Sequence, residues 1–129
     1  MKLLLDTHTV LWWVNEYEKL SPTAKSLLLN EANDLYLSII SMWEIAIKSS
    51  LGKLTEFNGG VGAFSAKVRI MPVNLLPIKQ NYIELVETLP FIHRDPFDRM
   101  LIAVAKTESM AILTADENIH EYDILTLWK

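Results

Sequence analysis

Short apolar runs alternate along the chain with longer segments in which apolar residues recur at helical spacing. This alternation is typical of βαβ units, because two neighbouring parallel strands need a crossover connection between them. The sequence therefore predicts an α/β fold: one domain over residues 1–129, built as a three-layer α/β/α sandwich around a central, mostly parallel sheet. We expect strands at residues 1–5, 35–39, 73–76, 111–114 and 124–127.

Helices are predicted between these strands from apolar periodicity and from the residues that start and stop helices. Ser21 is expected to cap the second helix, with Pro22 in its first turn. Ser41 is expected to cap the third, because Glu44 follows it at the spacing of a capping box, and Gly52 is expected to end it. The predicted helices cover residues 7–16, 22 to about 32, 42–51, 63–70, 81–89 and 97–108, and a loop or lid is predicted for residues 55–62.

Composition narrows the class of protein. The chain has no cysteine, which excludes disulfides and thiolate metal sites. No apolar stretch approaches the length of a membrane span or of a signal peptide, so we expect a cytoplasmic protein without membrane contact. The net charge of −4 is unusual for a protein that binds nucleic acid. If clustered carboxylates bind divalent cations, the bound ions reverse the local electrostatic field. The negative net charge therefore does not exclude a nucleic-acid substrate.

Four acidic residues can meet at one edge of the predicted sheet. Asp6 ends the first strand, and Asp116 follows the fourth; Asp98 and Glu44 lie in the first turns of helices that can face the same edge. Taken singly, each acid could be a helix cap or a solvated side chain. Ligand sites in open α/β sheets lie outside the carboxyl ends of the strands, and grouped carboxylates are costly without a cation. Oxygen ligands select Mg²⁺ or Mn²⁺, so a hydrolytic metal site is predicted.

Four blocks of sequence surround these acids: LDTH at residues 5–8, SMWEIAIK at 41–48, HRDPFDRMLIA at 93–103 and LTAD at 113–116. In this order, and over nearly the whole chain, they resemble the motifs of PIN-domain nucleases. Within that family the chain is most similar to the VapC-type toxins of toxin–antitoxin pairs. The resemblance implies a PIN-like fold and a metal-dependent endoribonuclease.

The same resemblance implies roles for the four acids. Asp6, Glu44, Asp98 and Asp116 match the catalytic acids of the family, with none substituted. Asp6 and Asp98 are expected to be the firmest metal ligands, while Glu44 and Asp116 complete the site, directly or through water. The expected cofactor is Mg²⁺, with Mn²⁺ as the alternative. The expected partners are an RNA substrate, a cognate antitoxin and a second copy in a homodimer, and water is the expected nucleophile.

Side chains beside the acids have expected supporting roles. Thr114 matches a family position that often carries a hydroxyl, and it is expected to orient an acid. Lys48 follows Glu44 by one helical turn, so it forms either an ordinary surface pair or a contact within the site. Asp95 is expected to be the N-cap of the helix that carries Asp98 rather than a metal ligand.

Basic and aromatic residues extend the predicted site less specifically. Arg94 and Arg99 are expected to contact the RNA backbone. Trp43 is expected in the core and Trp128 as a packing anchor at the C-terminus, while His93 receives no defined role.

Two other functions stay open. One is a PIN-like binding module whose metal pocket does not turn over, although the four intact acids favour an enzyme. The other is an RNA-processing nuclease outside any toxin pair, which a neighbouring antitoxin reading frame would distinguish. A phosphatase of the haloacid dehalogenase type fits poorly, because it needs a second Asp two residues after the first, where this chain has His8.

Overall fold

The computed structural model describes residues 1–54 and 57–129, so Thr55 and Glu56, part of the predicted loop or lid, lie outside the described residues. Within the described ranges, five strands form one parallel sheet in the order β3-β2-β1-β4-β5. The strands are β1 (Lys2–Leu5), β2 (Asp34–Ser38), β3 (Val73–Leu76), β4 (Ala111–Leu113) and β5 (Thr126–Leu127). The helices are α1 (Thr7–Asn15), α2 (Pro22–Leu29), α3 (Ile39–Ser50), α4 (Gly60–Arg69), α5 (Gln80–Thr88), α6 (Pro96–Glu108) and α7 (Glu117–His120), with a 3₁₀ turn at Tyr17–Lys19.

The predicted three-layer sandwich is confirmed by two apolar cores, one on each face of the sheet. Alternate side chains of a strand point to opposite faces. Leu3 and Leu5 accordingly pack in the core that contains α1, α2 and α4, whereas Leu4 packs in the core that contains α5 and α6. All three leucines are fully buried, so β1 is the centre of the fold.

The start of α3 differs from the prediction. Ser21 does cap α2, since its Oγ accepts a hydrogen bond from the Ala24 amide at 3.0 Å. The cap of α3, however, is Ser38, whose Oγ accepts from the Ile40 amide at 3.2 Å, and Ser41 lies inside the helix. The prediction of a capping box at Ser41 is therefore wrong. Strand β2 runs directly into α3, and this sharp junction lies three residues before the serine whose spacing matched the motif.

The order of the strands creates a crevice at one edge of the sheet. The chain proceeds from β1 outward to β2 and β3 on one side, and β4 and β5 lie on the other. Connections leaving the carboxyl ends of β1 and β4 therefore diverge, which is where open α/β sheets bind ligands. Asp6 follows β1 at this edge, and its amide donates to the carbonyl of Leu113 at 3.2 Å. None of the helices in the described ranges is long and apolar enough to cross a membrane.

Arg99 has a structural role, which corrects the prediction that it contacts RNA. The residue is only 5% exposed, and its guanidinium donates to the carbonyls of Val86 at 2.9 Å and Pro90 at 3.0 Å. Longer contacts reach the carbonyls of Leu89 and His93 and the hydroxyl of Tyr122. A cation at the C-terminal end of a helix satisfies carbonyls that have no partner within the helix. Arg99 therefore fastens the end of α5 to the turn that leads into α6.

We expect Arg99→Lys to lower the free energy of unfolding by about 2 to 3 kcal/mol, because a lysine keeps the charge but cannot supply the planar fork of donors. Urea denaturation followed by circular dichroism measures the change. Arg94→Lys, at an exposed position five residues earlier, is the matched control and should change stability by less than about 0.5 kcal/mol. Equal stability of the two variants would contradict the role assigned to Arg99.

Candidate metal centre

Asp6 lies at the N-cap position of α1, yet its carboxylate makes no capping hydrogen bond. An aspartate at this position usually accepts from the first-turn amides. Here Oδ2 instead accepts from the Thr114 hydroxyl at 2.7 Å, and the residue is 5% exposed. The carboxylate is therefore held in the crevice, and a side chain at the end of β4 determines its orientation.

Thr114 connects the acids that follow β1 and β4. While its hydroxyl donates to Asp6, the same oxygen accepts from the Asp116 amide at 3.0 Å. Asp116 uses Oδ1 to cap α7 through the Asn118 amide at 2.9 Å, which leaves its second carboxylate oxygen outside the cap. These contacts are those expected of a residue that orients acids, the role predicted for Thr114.

The helix that carries Asp98 is capped by another aspartate. Asp95 Oδ1 accepts from the amides of Phe97 at 2.8 Å and Asp98 at 3.0 Å, which confirms Asp95 as the N-cap of α6. The Asp98 side chain consequently takes no part in capping. Its Oδ2 lies 2.8 Å from Nε2 of His93, on the turn before the helix.

Glu44 is buried within α3 and is held by side chains from two elements. Its Oε1 accepts from the Thr7 hydroxyl at 2.7 Å, and its Oε2 pairs with the Lys48 ammonium at 2.5 Å. Thr7 also lies 2.8 Å from the hydroxyl of Ser41. Because Glu44 is only 3% exposed, the Glu44–Lys48 pair is not the ordinary surface pair that the spacing allowed. The pair lies within the site.

The raised pKa values of Asp6 and Asp98 show that ionising these carboxylates is unfavourable. Burial raises the pKa of Asp6, although the Thr114 hydrogen bond opposes the shift. Burial also raises the pKa of Asp98 from 3.8 to about 7, with further increases from the charges of Asp6, Asp95 and Glu44. Burial opposes the charge on Lys48, but its hydrogen bond to Glu44 and the surrounding acids outweigh that effect and raise its pKa.

The donor set fits a divalent cation. One ligand atom from each of His93, Asp98 and Asp116 lies within 4.8 Å of the others, a grouping found among the described residues. Asp6 and Glu44 lie close enough to raise the pKa of Asp98, although their atoms are not part of that group. Carboxylates whose pKa values rise through burial and mutual repulsion are those that a cation would stabilise. Asp6 and Asp98 as the firmest ligands stay a prediction.

The tryptophans and Arg94 agree only in part with the sequence-based expectation. The prediction that Trp43 lies in the core is wrong, since it is 58% exposed beside Phe97, with ring centroids 5.6 Å apart. Trp128 is confirmed as a packing anchor, 5.7 Å from the ring of Trp12. Arg94 is exposed.

Thr7, Ser41 and His93 contact the acids or their partners, although the sequence predicted no site role for them. The position of Thr7 directly after Asp6 was the available signal for that residue.

The raised pKa of Asp98 predicts how the stability of the metal-free protein depends on pH. Because the folded state binds this proton more tightly than the unfolded chain, the contribution is present below about pH 4 and is lost as pH rises to about 7. We expect the free energy of unfolding in EDTA to fall over this range. In Asp98→Asn this fall should be smaller by about 1 to 2 kcal/mol, measured by urea denaturation at several pH values.

The exposed Asp123 supplies the control for this experiment, since Asp123→Asn removes one carboxylate outside the cluster. Its stability should follow the wild-type pH dependence. If the curve of Asp98→Asn also parallels the wild type, Asp98 is not strained by burial and repulsion.

The family model for the PIN domain matches residues 3–125. No curated protein matches the chain in sequence. Solved structures with the same fold include VapBC2 from Rickettsia felis bound to promoter DNA, at a TM-score of 0.74 and 14% identity, with all of both chains covered. They also include VapC20 from Mycobacterium tuberculosis, described as a sarcin-ricin loop cleaving toxin. Its TM-score is 0.68 and its sequence identity 13%, and the match covers 98% of this chain and 99% of that one. VapBC-1 from nontypeable Haemophilus influenzae has a TM-score of 0.62 and 20% sequence identity, and the match covers 98% of this chain and 97% of that one. With its sheet order, its acidic crevice and a family match over nearly its whole length, this chain belongs to the PIN-domain family.

Proposed function

We propose that this PIN-domain protein is a metal-dependent endoribonuclease. The observation that carries the proposal is the burial of Asp6, Glu44 and Asp98 at one sheet edge, where the pKa values of Asp6 and Asp98 are raised. Grouping acids in this way destabilises a metal-free protein, so the arrangement is explained by a function that needs a cation. The four intact acids favour an enzyme over a binding module whose metal pocket does not turn over.

Each acid has a part in this proposal. Asp6 and Asp98 are the firmest ligands of the divalent ion, and Asp116 completes the site; Thr114 orients Asp6. Both oxygens of Glu44 already accept hydrogen bonds from the protein, which favours a contact of Glu44 through water. When bound, the ion would lower the pKa of a water molecule and stabilise the charge on a scissile phosphodiester.

Basic and aromatic side chains around the crevice are candidates for holding the substrate. Lys48 is partly exposed next to Glu44, and its charge can attract a phosphate. Arg94 is exposed on the turn that precedes α6. Trp43 presents most of its ring to solvent one residue before Glu44, where an unpaired base could stack on it. These contacts suit single-stranded or looped RNA, whose bases are accessible.

The toxin role of the enzyme is proposed from its structural neighbours. The similar structures named above are VapBC complexes and a VapC toxin that cleaves the sarcin-ricin loop. By analogy, we propose that this chain pairs with an antitoxin and forms a homodimer. An RNA-processing enzyme outside any toxin pair is the second candidate, because the acidic site would serve both.

We expect the purified protein to cleave total cellular RNA when Mg²⁺ or Mn²⁺ is present and to stop when EDTA is added. Asp6→Asn and Asp98→Asn should each lower the cleavage rate by about a thousandfold or more, because each removes a charge at the metal centre. Gel electrophoresis of the RNA and end analysis of the products, expected to carry 5′-phosphates, measure the reaction.

Asp123→Asn is again the matched control and should cleave at the wild-type rate, since Asp123 is exposed outside the cluster. Cleavage that persists in both site variants would indicate a contaminant or a misplaced site. A wild-type protein free of partner that binds metal but cleaves no RNA would favour the binding module.

The partner proposals have a separate test. We expect light scattering of the free protein to give the mass of a dimer, about twice 14.8 kDa. We also expect the product of a small reading frame beside the gene to copurify with the protein and inhibit cleavage. A monomer mass would reject the homodimer, and an active nuclease without such a neighbour would favour the RNA-processing role.

A further inference from the structure

A histidine lies among the carboxylates of the candidate metal centre. His93 Nε2 is 2.8 Å from Asp98 Oδ2, and ligand atoms of His93, Asp98 and Asp116 all lie within 4.8 Å of one another. We propose that His93 is itself a metal ligand and that, with Asp98 and Asp116, it makes a site that prefers Mn²⁺ to Mg²⁺. This inference rests on the proposed function, whose metal it specifies.

The separations of these atoms suit an octahedral ion. At metal–ligand distances of about 2.1 Å, neighbouring ligand atoms lie about 3 Å apart and opposite ones about 4.2 Å apart. The 2.8 Å between His93 Nε2 and Asp98 Oδ2 matches an adjacent pair. The limit of 4.8 Å for the whole group leaves only a small side-chain movement to bring in Asp116.

The backbone of His93 is fixed on both sides of the residue. Its amide donates to the Tyr122 hydroxyl at 2.9 Å, and its carbonyl accepts from that hydroxyl at 3.4 Å and from Arg99 at 3.5 Å. Tyr122 and Arg99 are both buried, at 4% and 5% exposure. A side chain on such an anchored turn can serve as a preorganised ligand, unlike that of the exposed neighbour Arg94.

The chemistry of the donor atom determines the preferred ion. Mg²⁺ is a hard cation that binds oxygen and keeps several waters, so a nitrogen ligand gives it little advantage. Imidazole nitrogen suits first-row transition metals, while carboxylates suit Mn²⁺ as well as Mg²⁺. Carboxylates together with one imidazole therefore make a mixed donor set that Mn²⁺ accepts better than Mg²⁺ does.

The test measures metal binding to the metal-free full chain, without RNA. We expect electron spin-echo spectroscopy of the Mn²⁺ complex to show coupling to a directly bound ¹⁴N, and His93→Ala to abolish it. Calorimetry should show that His93→Ala weakens Mn²⁺ binding about tenfold or more and Mg²⁺ binding much less. His93→Gln, which offers an amide oxygen, should also lack the nitrogen coupling. Its affinity for Mg²⁺ should be higher than that of His93→Ala.

His120→Ala is the matched control, because the His120 ring contacts Thr126 and the Thr114 carbonyl instead of the acids. It should keep the ¹⁴N coupling and the preference for Mn²⁺. A Mn²⁺ complex without nitrogen coupling, or an equal loss of affinity for both ions in His93→Ala, would overturn the inference and make His93 a positioning partner of Asp98. Failure to bind either ion would overturn the proposed function as well, so the two failures are distinguishable.

Discussion

The burial and mutual repulsion of the carboxylates that α3 and α6 bring to the end of β1 are the constraint on which the rest of the site depends. Three of the acids are less than one-tenth exposed, and burial raises the pKa of Asp6 and Asp98. Neutral donors compensate part of this cost: Thr114 for Asp6, and Thr7 for Glu44. Lys48 supplies a positive charge. These contacts orient the acids without neutralising all of them. Negative charge therefore remains uncompensated, and a bound cation can neutralise it.

A second charge stabilises the scaffold of the site. Arg99 lies one residue after Asp98, yet it points away from the crevice into backbone carbonyls at the end of α5. Together with Tyr122 it fixes the turn that carries His93. Neighbouring side chains on α6 thus serve two different purposes. One side chain contributes to the costly site, and the next contributes to the stability that tolerates it.

The negative net charge of the chain is compatible with an RNA substrate, because the position of the charges matters more than their sum. The net charge is −4, and much of the relevant negative charge lies in the crevice, where a divalent ion would reverse the field. Exposed Trp43 and Arg94 and partly exposed Lys48 then offer stacking and phosphate contacts around it. Such a surface would bind nucleic acid weakly without metal and more strongly with it.

Local chemistry made much of this protein predictable from sequence. The alternation of strands and helices, the Ser21 and Asp95 caps and the acids at strand ends depend on residues close in the chain, so short patterns report them. The PIN-like resemblance supplied the pairing of distant motifs. Tertiary structure alone decided that Ser38 caps α3, that Arg99 is buried, that Trp43 is exposed and that His93 meets Asp98. The burial of Arg99 and the exposure of Trp43 depend on which distant groups pack against them, such as the carbonyl of Val86 for Arg99, and no spacing along the chain encodes that contact. The Ser38 cap and the His93–Asp98 contact join residues close in the chain, but they depend on where β2 ends and on how Tyr122 and Arg99 hold the turn before α6.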